Sequence, residues 1–388
     1  MTTDSMPDFD LTRGDALFRL QRSIGLIPAE GSGLLRRALF WAAVGWLPIA
    51  VWAVATQRAL PGASAEPLLA HFGVHARLLV AVPLLILAEG PAGALTTRLL
   101  RHFVDAGIVP ANGRAEFALA IRSAVRRRDA IWPWLAILGV ALALGTYSQA
   151  VARAHEVEWA AGTPDSLGFG GLWYLYVGRT IFLTLALGWI WRIGLLASLL
   201  ARIARMHLSL VPTHPDRAGG IGFLERLPAA FAPLALAVSV VLASRWGHDA
   251  VYHGLTLTSV KVEMIVFIAV CSVVFCLPLL AFRGPLKRAR QQALLEYGAL
   301  VGRHGRLVHE RWIDGRASGE QPLLVAPELG PVADTAVIYE AVKSMRTVPL
   351  GKASLLPILV AAAVPMLAVM ALQVPVGAIL KQLLHAVL

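Results

Sequence analysis

The sequence has few charged residues for its length. Only 15% of its 388 residues are Asp, Glu, Lys or Arg, whereas 57% are hydrophobic, and the mean hydropathy is +0.65. A soluble chain of this length carries more charge, because polar and charged side chains cover the surface of each soluble domain. The scarcity of charge therefore excludes a set of soluble domains and indicates a polytopic membrane protein.

The sequence is also poor in cysteine and in enzyme motifs. Its two cysteines, Cys271 and Cys276, lie five residues apart in one apolar run, where a helix points them about 140° apart, so they do not form a disulfide within one helix. The sequence contains no Walker-type nucleotide loop, no HExxH helix and no GxSxG elbow. We therefore expect no cofactor, and an enzyme is the less favoured class.

Seven apolar segments reach the roughly 20 residues that a transmembrane helix needs. They are the segments 38–56, 78–97, 131–152, 180–201, 227–244, 262–282 and 353–380. Arg or Lys residues flank most of them. The sequence thus predicts an all-α fold, a transmembrane helical bundle of about seven spans with short cytoplasmic helical segments.

The basic residues predict the orientation of this bundle. The net charge is +11, and 27 of the 35 Lys and Arg residues lie in the segments 1–37, 97–130, 201–226 and 282–352. Because cytoplasmic loops carry an excess of Lys and Arg, we expect a cytoplasmic N-terminus and an external C-terminus. The basic surface then meets anionic lipid at the cytoplasmic face, not nucleic acid.

These predictions divide the chain into four parts. They are a cytoplasmic segment (1–37), a six-span bundle (38–282), a cytoplasmic helical segment (283–352), and a seventh span with a tail (353–388). Whether residues 373–388 complete the last span or lie in the interface is left open. Thirty of the basic residues are Arg, a bias typical of GC-rich genomes, and we expect the inner membrane of a bacterium.

Two cytoplasmic stretches have apolar faces. The stretch 113–130 predicts a basic amphipathic helix on the anionic leaflet, or ordinary topology-setting charge. Near the C-terminus, Asp334 is expected to cap a helix whose apolar face packs under the bundle.

A heptad repeat in the long cytoplasmic segment offers a weak route to a homo-oligomer. Small or apolar residues recur every seven positions, at Leu286, Ala293, Leu300 and Leu307. A coiled-coil seam also needs apolar residues between these positions, and here they are mostly polar.

Glu89 is the most informative residue. It lies inside the apolar segment 78–97 and is followed by Gly90 and Pro91, which favour a break in the helix. Counting helical steps from Arg98 places it near the middle of the bilayer. A carboxylate there is costly, and transporters build ion sites from such broken helices. The alternative is a buried Glu89, protonated or not, that is hydrogen-bonded to a neighbouring helix.

Arg192 is the candidate partner of Glu89. If the fourth span runs from Arg179 to Arg202, Arg192 lies deep in the bilayer and needs a counter-ion, and we hypothesise an ion pair with Glu89. If the span instead starts at Trp173, Arg192 reaches the cytoplasmic edge and extends to the interface without a special role.

The segment THPDRAGGIGFLER, residues 213–226, predicts a tight loop at the cytoplasmic end of the fifth span. Asp216 favours an Asx turn, and Gly219 and Gly220 permit positive φ. With His214 and Arg217, its amides could form an anion-binding nest or a gate. The alternative is a turn with a purely structural role.

One further polar group is a weak metal candidate. His248 and His253 lie five residues apart, with Asp249 between them, at the predicted external surface. Without a further ligand they do not make a metal site, and we expect none.

Three function classes remain. Kinked helices, embedded charge and little soluble mass favour a small channel or secondary transporter for ions or small solutes. The alternatives are a membrane-embedded enzyme acting on a lipid or prenyl carrier, through Glu89, His214 and Asp216, and a scaffold or regulatory protein acting through its cytoplasmic helices. The cargo, the coupling ion and the oligomeric state are not encoded in any motif.

Overall fold

The computed structural model describes residues 9–62, 67–152, 158–163, 166–256, 259–314 and 330–372. Within these residues the fold is all-α apart from one small ribbon. The α-helices are α1 (Ala16–Ser23), α2 (Leu34–Ala55), α3 (Phe72–His75), α4 (Val82–Leu87), α5 (Glu89–Asp105), α6 (Arg114–Asp129), α7 (Trp132–Ala152), α8 (Phe169–Trp173), α9 (Arg179–Ile203), α10 (Ala232–Tyr252), α11 (Lys261–Cys276), α12 (Arg283–Trp312), α13 (Gly330–Lys343) and α14 (Lys352–Leu372). The ribbon pairs β1 (Ala161–Thr163) with β2 (Ser166–Leu167) in antiparallel fashion.

Short π- and 3₁₀-helical segments join several of these helices end to end. They are Leu68–Ala70, Ala76–Ala81, Ala111–Gly113, Glu158–Ala160, Tyr174–Gly178, Gly222–Arg226, Pro228–Phe231 and Leu277–Phe282. Two of them contain a proline near their start, Pro228 and Pro278. Proline lacks the amide donor that an α-helix requires, so it favours such local changes of helical pitch.

Six of the resulting helices are long and apolar enough to cross a membrane. They are Leu34–Ala55, Phe72–Asp105, Phe169–Ile203, Gly222–Tyr252, Lys261–Glu310 and Lys352–Ala371. A seventh is reached if α6 and α7, which are bent by 42° at their junction, count as one span. This agrees with the prediction of about seven spans, although the helices Phe169–Ile203 and Lys261–Glu310 are much longer than the predicted segments 180–201 and 262–282. The tail 373–388 lies outside the described residues.

The outer faces of these helices are apolar. On α11, Val262, Ile265 and Val273 are exposed by 69%, 66% and 62%. A protein surrounded by water rarely presents such a continuous apolar surface. The helices and their outer faces together indicate an integral membrane protein.

The second helix of the bundle lies antiparallel to α2, and its register differs from the prediction. Trp46 Nε1 donates a 3.0 Å hydrogen bond to His75 Nδ1, and Arg37, in the first turn of α2, forms a 2.6 Å ion pair with Glu89. Glu89 is therefore level with the start of α2, not with its middle. Along its own helix, which runs from Phe72 to Asp105, Glu89 lies near the middle, about 24 Å from the C-terminal end. The depth of Glu89 in a membrane stays a prediction.

The helix that contains Arg192 agrees better with the predicted register that starts at Trp173 than with the one that starts at Arg179. It begins at Phe169, and Trp173 Nε1 donates a 3.0 Å hydrogen bond to the Val44 carbonyl of α2. Arg192 consequently lies at the same end of the bundle as Arg37. It does not simply extend to a surface there, because it is only 2% exposed.

The centre of the bundle is formed around α9 and α10. Trp189 of α9 is buried and donates a 2.8 Å hydrogen bond from Nε1 to the Leu85 carbonyl. On the other side, Ser239 Oγ of α10 donates to the Ala362 carbonyl of α14 at 2.6 Å. These long-range bonds fix the rotation of each helix about its axis, so they decide which polar residues face one another.

The amphipathic stretch 113–130 forms α6, and part of its apolar face is buried in the protein. Phe117 and Ile121 are 0% and 1% exposed and belong to the central core, whereas Leu119 is 60% exposed. Insertion of the whole face into a membrane surface does not fit this packing, and contact of the basic residues of α6 with anionic lipid stays a prediction.

The two helices of the segment 283–352, α12 and α13, differ from prediction in two respects. Leu286 and Ala293 of the proposed heptad seam are buried within the chain, at 0% and 2% exposure, so this part of the seam is not free for self-association. The helix α13 begins at Gly330, and Asp334 therefore lies inside it and is not its N-cap. Val342 and Met345 are buried, as expected for the face that packs against the rest of the protein.

Candidate functional site

Asp15 links the N-terminal segment to the transmembrane helices. Its Oδ1 accepts a 2.7 Å hydrogen bond from the Phe18 amide and so caps α1. Its Oδ2 accepts hydrogen bonds from Nη2 and Nε of Arg192, at 2.7 and 3.1 Å. One carboxylate thus caps the N-terminus of α1 and neutralises a buried guanidinium 177 residues away in sequence.

Glu89 completes a row of four alternating charges with Asp15, Arg192 and Arg37, which we call the charged cluster. Its Oε1 accepts a 2.9 Å hydrogen bond from Arg192 Nη1, and its Oε2 forms the 2.6 Å ion pair with Arg37 Nη1. The structure therefore brings together the two residues of the hypothesised pair, Glu89 and Arg192, and adds two more charges to them.

The cluster is withdrawn from solvent and balanced in charge. All four side chains are at most 2% exposed, and two cations face two anions. Burying a single ion costs several kcal/mol, and close partners offset this cost only if each charge is matched. The alternating order gives Arg192 and Glu89 two partners of opposite sign each.

Aromatic rings and one amide enclose the cluster. The Arg192 guanidinium lies 5.4 Å from the ring centroid of Trp134 and 5.3 Å from that of Trp189, a favourable cation–π geometry. Arg37 Nε donates a hydrogen bond to Gln21 Oε1. Asp15 and Gln21 hold α1 against the bundle in this way.

Two members of the cluster, Arg37 and Glu89, line a cleft of about 280 Å³ at the end of the bundle where α2 begins. The lining also includes Asp10, Arg13 and Ser32 of the N-terminal segment. Arg37 Nη2 is buried and makes no hydrogen bond to any residue that the structure describes. The guanidinium group beside the cleft therefore has a donor left over after its contacts with Glu89 and Gln21.

The helix that contains Glu89 is interrupted by a single residue. The α-helix α4 ends at Leu87, Ala88 lies between the helices, and α5 begins at Glu89. Ala88 keeps α-helical dihedral angles, with φ of −60° and ψ of −22°, and Phe72–Asp105 runs on as one helix. The Glu-Gly-Pro string therefore does not break the helix sharply, and Glu89 contacts its two arginines from within a continuous helix.

The loop at residues 213–222 is held by its own carboxylate. Asp216 Oδ1 accepts hydrogen bonds from the amides of Ala218 and Gly220 at 2.8 and 3.2 Å, and Oδ2 accepts one from Gly222 at 2.8 Å. Burial opposes ionisation of this carboxyl group, but these three bonds and one from His214 outweigh it and lower the pKa of Asp216.

The backbone of this loop has the two left-handed glycines that were predicted. Gly219 and Gly220 have φ of +65° and +93°, and Arg217, for which no positive φ was predicted, has φ of +54°. The amides of the expected anion nest point at the Asp216 carboxylate, however, so the chain supplies its own anion. This favours the structural role for the loop.

The loop is tied to the segment before α14. Arg346 Nη2 donates to the Asp216 carbonyl at 2.9 Å and also pairs with Glu225. His214 remains 44% exposed. The loop residues and the charged cluster form two separate groups, and no hydrogen bond or ion pair between them is found among the described residues.

His71 and His248, at the end of the bundle away from the charged cluster, stack on each other and do not form a metal site with the described residues. The rings of His248 and His71 lie 4.9 Å apart, and His248 Nδ1 contacts the Ala70 carbonyl at 3.0 Å. The described residues contain no group of three or more metal-binding side chains.

Sequence reasoning missed three members of the site, Asp15, Gln21 and Arg37. Asp15 precedes a short amphipathic helix, a pattern typical of an N-cap, and this signal could have located α1. Nothing local indicated that α1 would fold against Glu89 and Arg192.

The chain was also compared with known proteins. No protein-family model matches it, and no curated protein or solved structure matches it either. The geometry of the charged cluster and its cleft is therefore the main guide to function.

Proposed function

We propose that this integral membrane protein is a small channel or secondary transporter for ions or small solutes, and that the charged cluster is its closed gate. One observation carries the proposal. A carboxylate inside a helix lines a cleft of mixed polarity and is held between two arginines from other helices.

Such an arrangement suits a gate because its parts belong to elements that can move separately. Glu89 begins α5, Arg192 lies on α9, Arg37 on α2, and Asp15 caps α1. Opening a path past Glu89 requires these pairs to separate, and a polar or charged solute in the cleft can compensate the exposed charges.

In this proposal the cleft opens to the cytoplasm. The charge distribution of the loops supports the orientation, since the N-terminal segment, α6 and α12 carry most of the arginines. The free donor on Arg37 favours a cargo with an anionic or hydrogen-bond-accepting group.

The alternatives have less support in the geometry. An enzyme acting on a lipid carrier would use His214 and Asp216, but three backbone amides already occupy the Asp216 carboxylate. A scaffold would need a broad apolar face on the cytoplasmic helices. The exposed apolar residues there include Leu295 and Val337, which lie on different helices, whereas Val342 and Met345 are buried.

Ion flux into liposomes tests the proposal. Purified wild-type protein is reconstituted, and the uptake of protons, K⁺, Na⁺ and Cl⁻ is followed with ion-sensitive dyes under imposed gradients. We expect a measurable flux for the wild type and a larger, leaky flux for Glu89→Gln, because the neutral amide binds both arginines more weakly. Glu263→Gln, an exposed change in the first turn of α11, serves as the matched control.

Two outcomes of the flux experiment contradict the proposal. Absence of flux from the wild type under every gradient, or identical flux from Glu89→Gln and the wild type, contradicts the proposal. Arg37→Lys keeps the charge and tests the same gate without a neutralising change, and gel filtration confirms that each variant is folded.

A further inference from the structure

A second cavity lies beside the charged cluster and opens to the side of the bundle. It has a volume of about 370 Å³ and lies between α1, α2, α7 and α9. Its walls are almost entirely apolar and include Leu17, Leu20, Leu135, Leu138, Ile181 and Leu185. We call it the side pocket, and its volume is within the range of small-molecule sites.

The rim of the side pocket belongs to the outer surface of the bundle. Leu20, Ile131, Leu135 and Leu138 are exposed by 56%, 53%, 48% and 42%. They are continuous with the apolar surface that faces lipid in a membrane. The pocket is therefore reached from the bilayer and not from the cleft above Glu89.

Five residues that line this pocket each carry a buried polar atom that makes no hydrogen bond to any described residue. The atoms are Gln21 Nε2, Trp41 Nε1, Trp134 Nε1, Thr180 Oγ1 and Thr184 Oγ1. Gln21, Trp134 and Thr180 are 0%, 6% and 8% exposed. Leaving a buried donor without a partner costs about 1 to 3 kcal/mol, so such a group of donors indicates an occupant that satisfies them.

The chemistry of the lining identifies the kind of occupant. Three of the five atoms are N–H donors that cannot accept, and no charged side chain lines the pocket. The occupant therefore presents a neutral hydrogen-bond acceptor together with an apolar chain. Thr180 and Thr184 lie about 18 and 12 Å from Arg192 along α9, so the apolar part extends toward the middle of the bundle.

We infer that the side pocket binds one acyl chain of a bilayer phospholipid, with an ester carbonyl of that lipid at Gln21, Trp41 and Trp134. Those donors lie near the start of α2, which is the level at which a bilayer changes from hydrocarbon to ester and headgroup. A lateral opening, an apolar wall and neutral donors at that level all fit this occupant.

Two residues that line the side pocket also contact the charged cluster. Gln21 Nε2 makes no hydrogen bond to a described residue, while Gln21 Oε1 accepts one from Arg37. Trp134 lies 5.4 Å from the Arg192 guanidinium. The side pocket is therefore adjacent to the cluster, but the lipid site does not depend on the proposed transport function.

Photolabelling tests the site on the full-length protein in phosphatidylcholine liposomes. The probe is a phosphatidylglycerol with a diazirine in one acyl chain, and labelled peptides are identified by mass spectrometry. We expect preferential labelling of the pocket faces of α7 and α9. Leu138→Trp fills the pocket and lowers this labelling about tenfold, whereas Leu142→Trp, one turn further along α7 and 40% exposed, leaves it unchanged.

A second arm tests the hydrogen bonds. An ether-linked analogue of the probe lacks the ester carbonyls, and Trp41→Phe removes one indole donor. Each change should lower pocket labelling about three- to tenfold. Trp132→Phe, at a side chain that is 75% exposed, is the matched control and should have no effect.

Several outcomes overturn the inference. Equal labelling of Leu138→Trp and the wild type, or labelling spread evenly over exposed helices such as α11, shows surface lipid only. Equal labelling by the ester and ether probes removes the role of the carbonyl. Failure of the flux experiment contradicts the gate alone and leaves these labelling results unchanged.

Discussion

Two carboxylates of this protein, Glu89 and Asp216, are each held by several donors, but the donors are of different kinds. Asp216 binds three backbone amides within six residues of itself. Glu89 binds two guanidinium groups from other helices, and one of them, on Arg192, is 103 residues away in sequence. The first network is local and the second is tertiary.

The comparison shows that a carboxylate with all its hydrogen bonds made can have either of two roles. It can shape a local turn, or it can join distant elements of the fold. The Asp216 network closes on itself and shapes a loop. The charged cluster joins four separate elements, and it can be taken apart only by moving them. A change at Glu89 or Arg192 should therefore act on the whole bundle, and a change at Asp216 on one loop.

The largest effect is expected from removing one charge of the cluster. Arg192→Met leaves Asp15 and Glu89 as buried carboxylates without a shared partner, which costs about 3 to 5 kcal/mol of folding free energy. The unfolding midpoint of the purified protein in detergent measures the loss. Arg202→Met, an exposed change near the end of the same helix, should cost less than about 0.5 kcal/mol. Equal stability of the two variants would contradict the buried cluster.

Exchanging two charges distinguishes a four-membered cluster from an isolated pair. In an isolated pair, Glu89→Arg combined with Arg192→Glu restores the attraction. Here the new Arg at position 89 would face Arg37, and the new Glu at position 192 would face Asp15, so like charges meet. We expect no recovery of folded protein, measured by gel filtration of membrane extracts. Recovery to the wild-type level would show that Asp15 and Arg37 are not part of the site.

A smaller effect is expected from Asp216→Asn. The amide oxygen can still accept from Ala218 and Gly220, but the amide nitrogen cannot accept from Gly222, and the loss should be about 1 to 3 kcal/mol. Local hydrogen exchange in residues 213–222 measures it. If exchange instead rises around Glu89, the two networks are coupled and the comparison fails.

The pH dependence of this loop follows from the lowered pKa of Asp216. A carboxyl group whose pKa is lower in the folded state stabilises that state above its ordinary value of about 3.8, and this stabilisation is lost as the pH falls through the lowered pKa. The wild-type loop should therefore stay protected from exchange at neutral pH and lose protection only below that value. Asp216→Asn should show no such transition, and a transition that persists in this variant would assign it to another group.

The smallest effect is expected at Gly220. Its φ of +93° is unfavourable for any residue with a Cβ atom, so Gly220→Ala should cost about 1 kcal/mol. Gly305→Ala is the control, because this helical position has no neighbouring atom within 4 Å of an added Cβ and should become more stable by about 0.5 to 1 kcal/mol. Unfolding midpoints compare the two, and a stabilised Gly220→Ala would show that the loop relaxes.

The sequence could predict the Asp216 loop and half of the charged cluster. The loop is encoded by residues that act on their immediate neighbours, so its turn and its left-handed glycines are readable in the string itself. Glu89 and Arg192 stand out because charge is rare inside apolar runs. Arg37 looks like an ordinary boundary residue and Asp15 like a simple helix cap, so their second roles were not visible.

The sequence by itself determined the approximate number of long apolar helices and the form of the 213–222 loop, because each depends on residues close together in the chain. Only the tertiary structure decided that Glu89 is level with Arg37, that Asp15 reaches Arg192, and that a side pocket opens beside them. These features depend on the register and rotation of helices that meet across long stretches of sequence. Long-range contacts such as those of Trp173 with Val44 and of Trp189 with Leu85 set that register, and the length of an apolar segment does not reveal it.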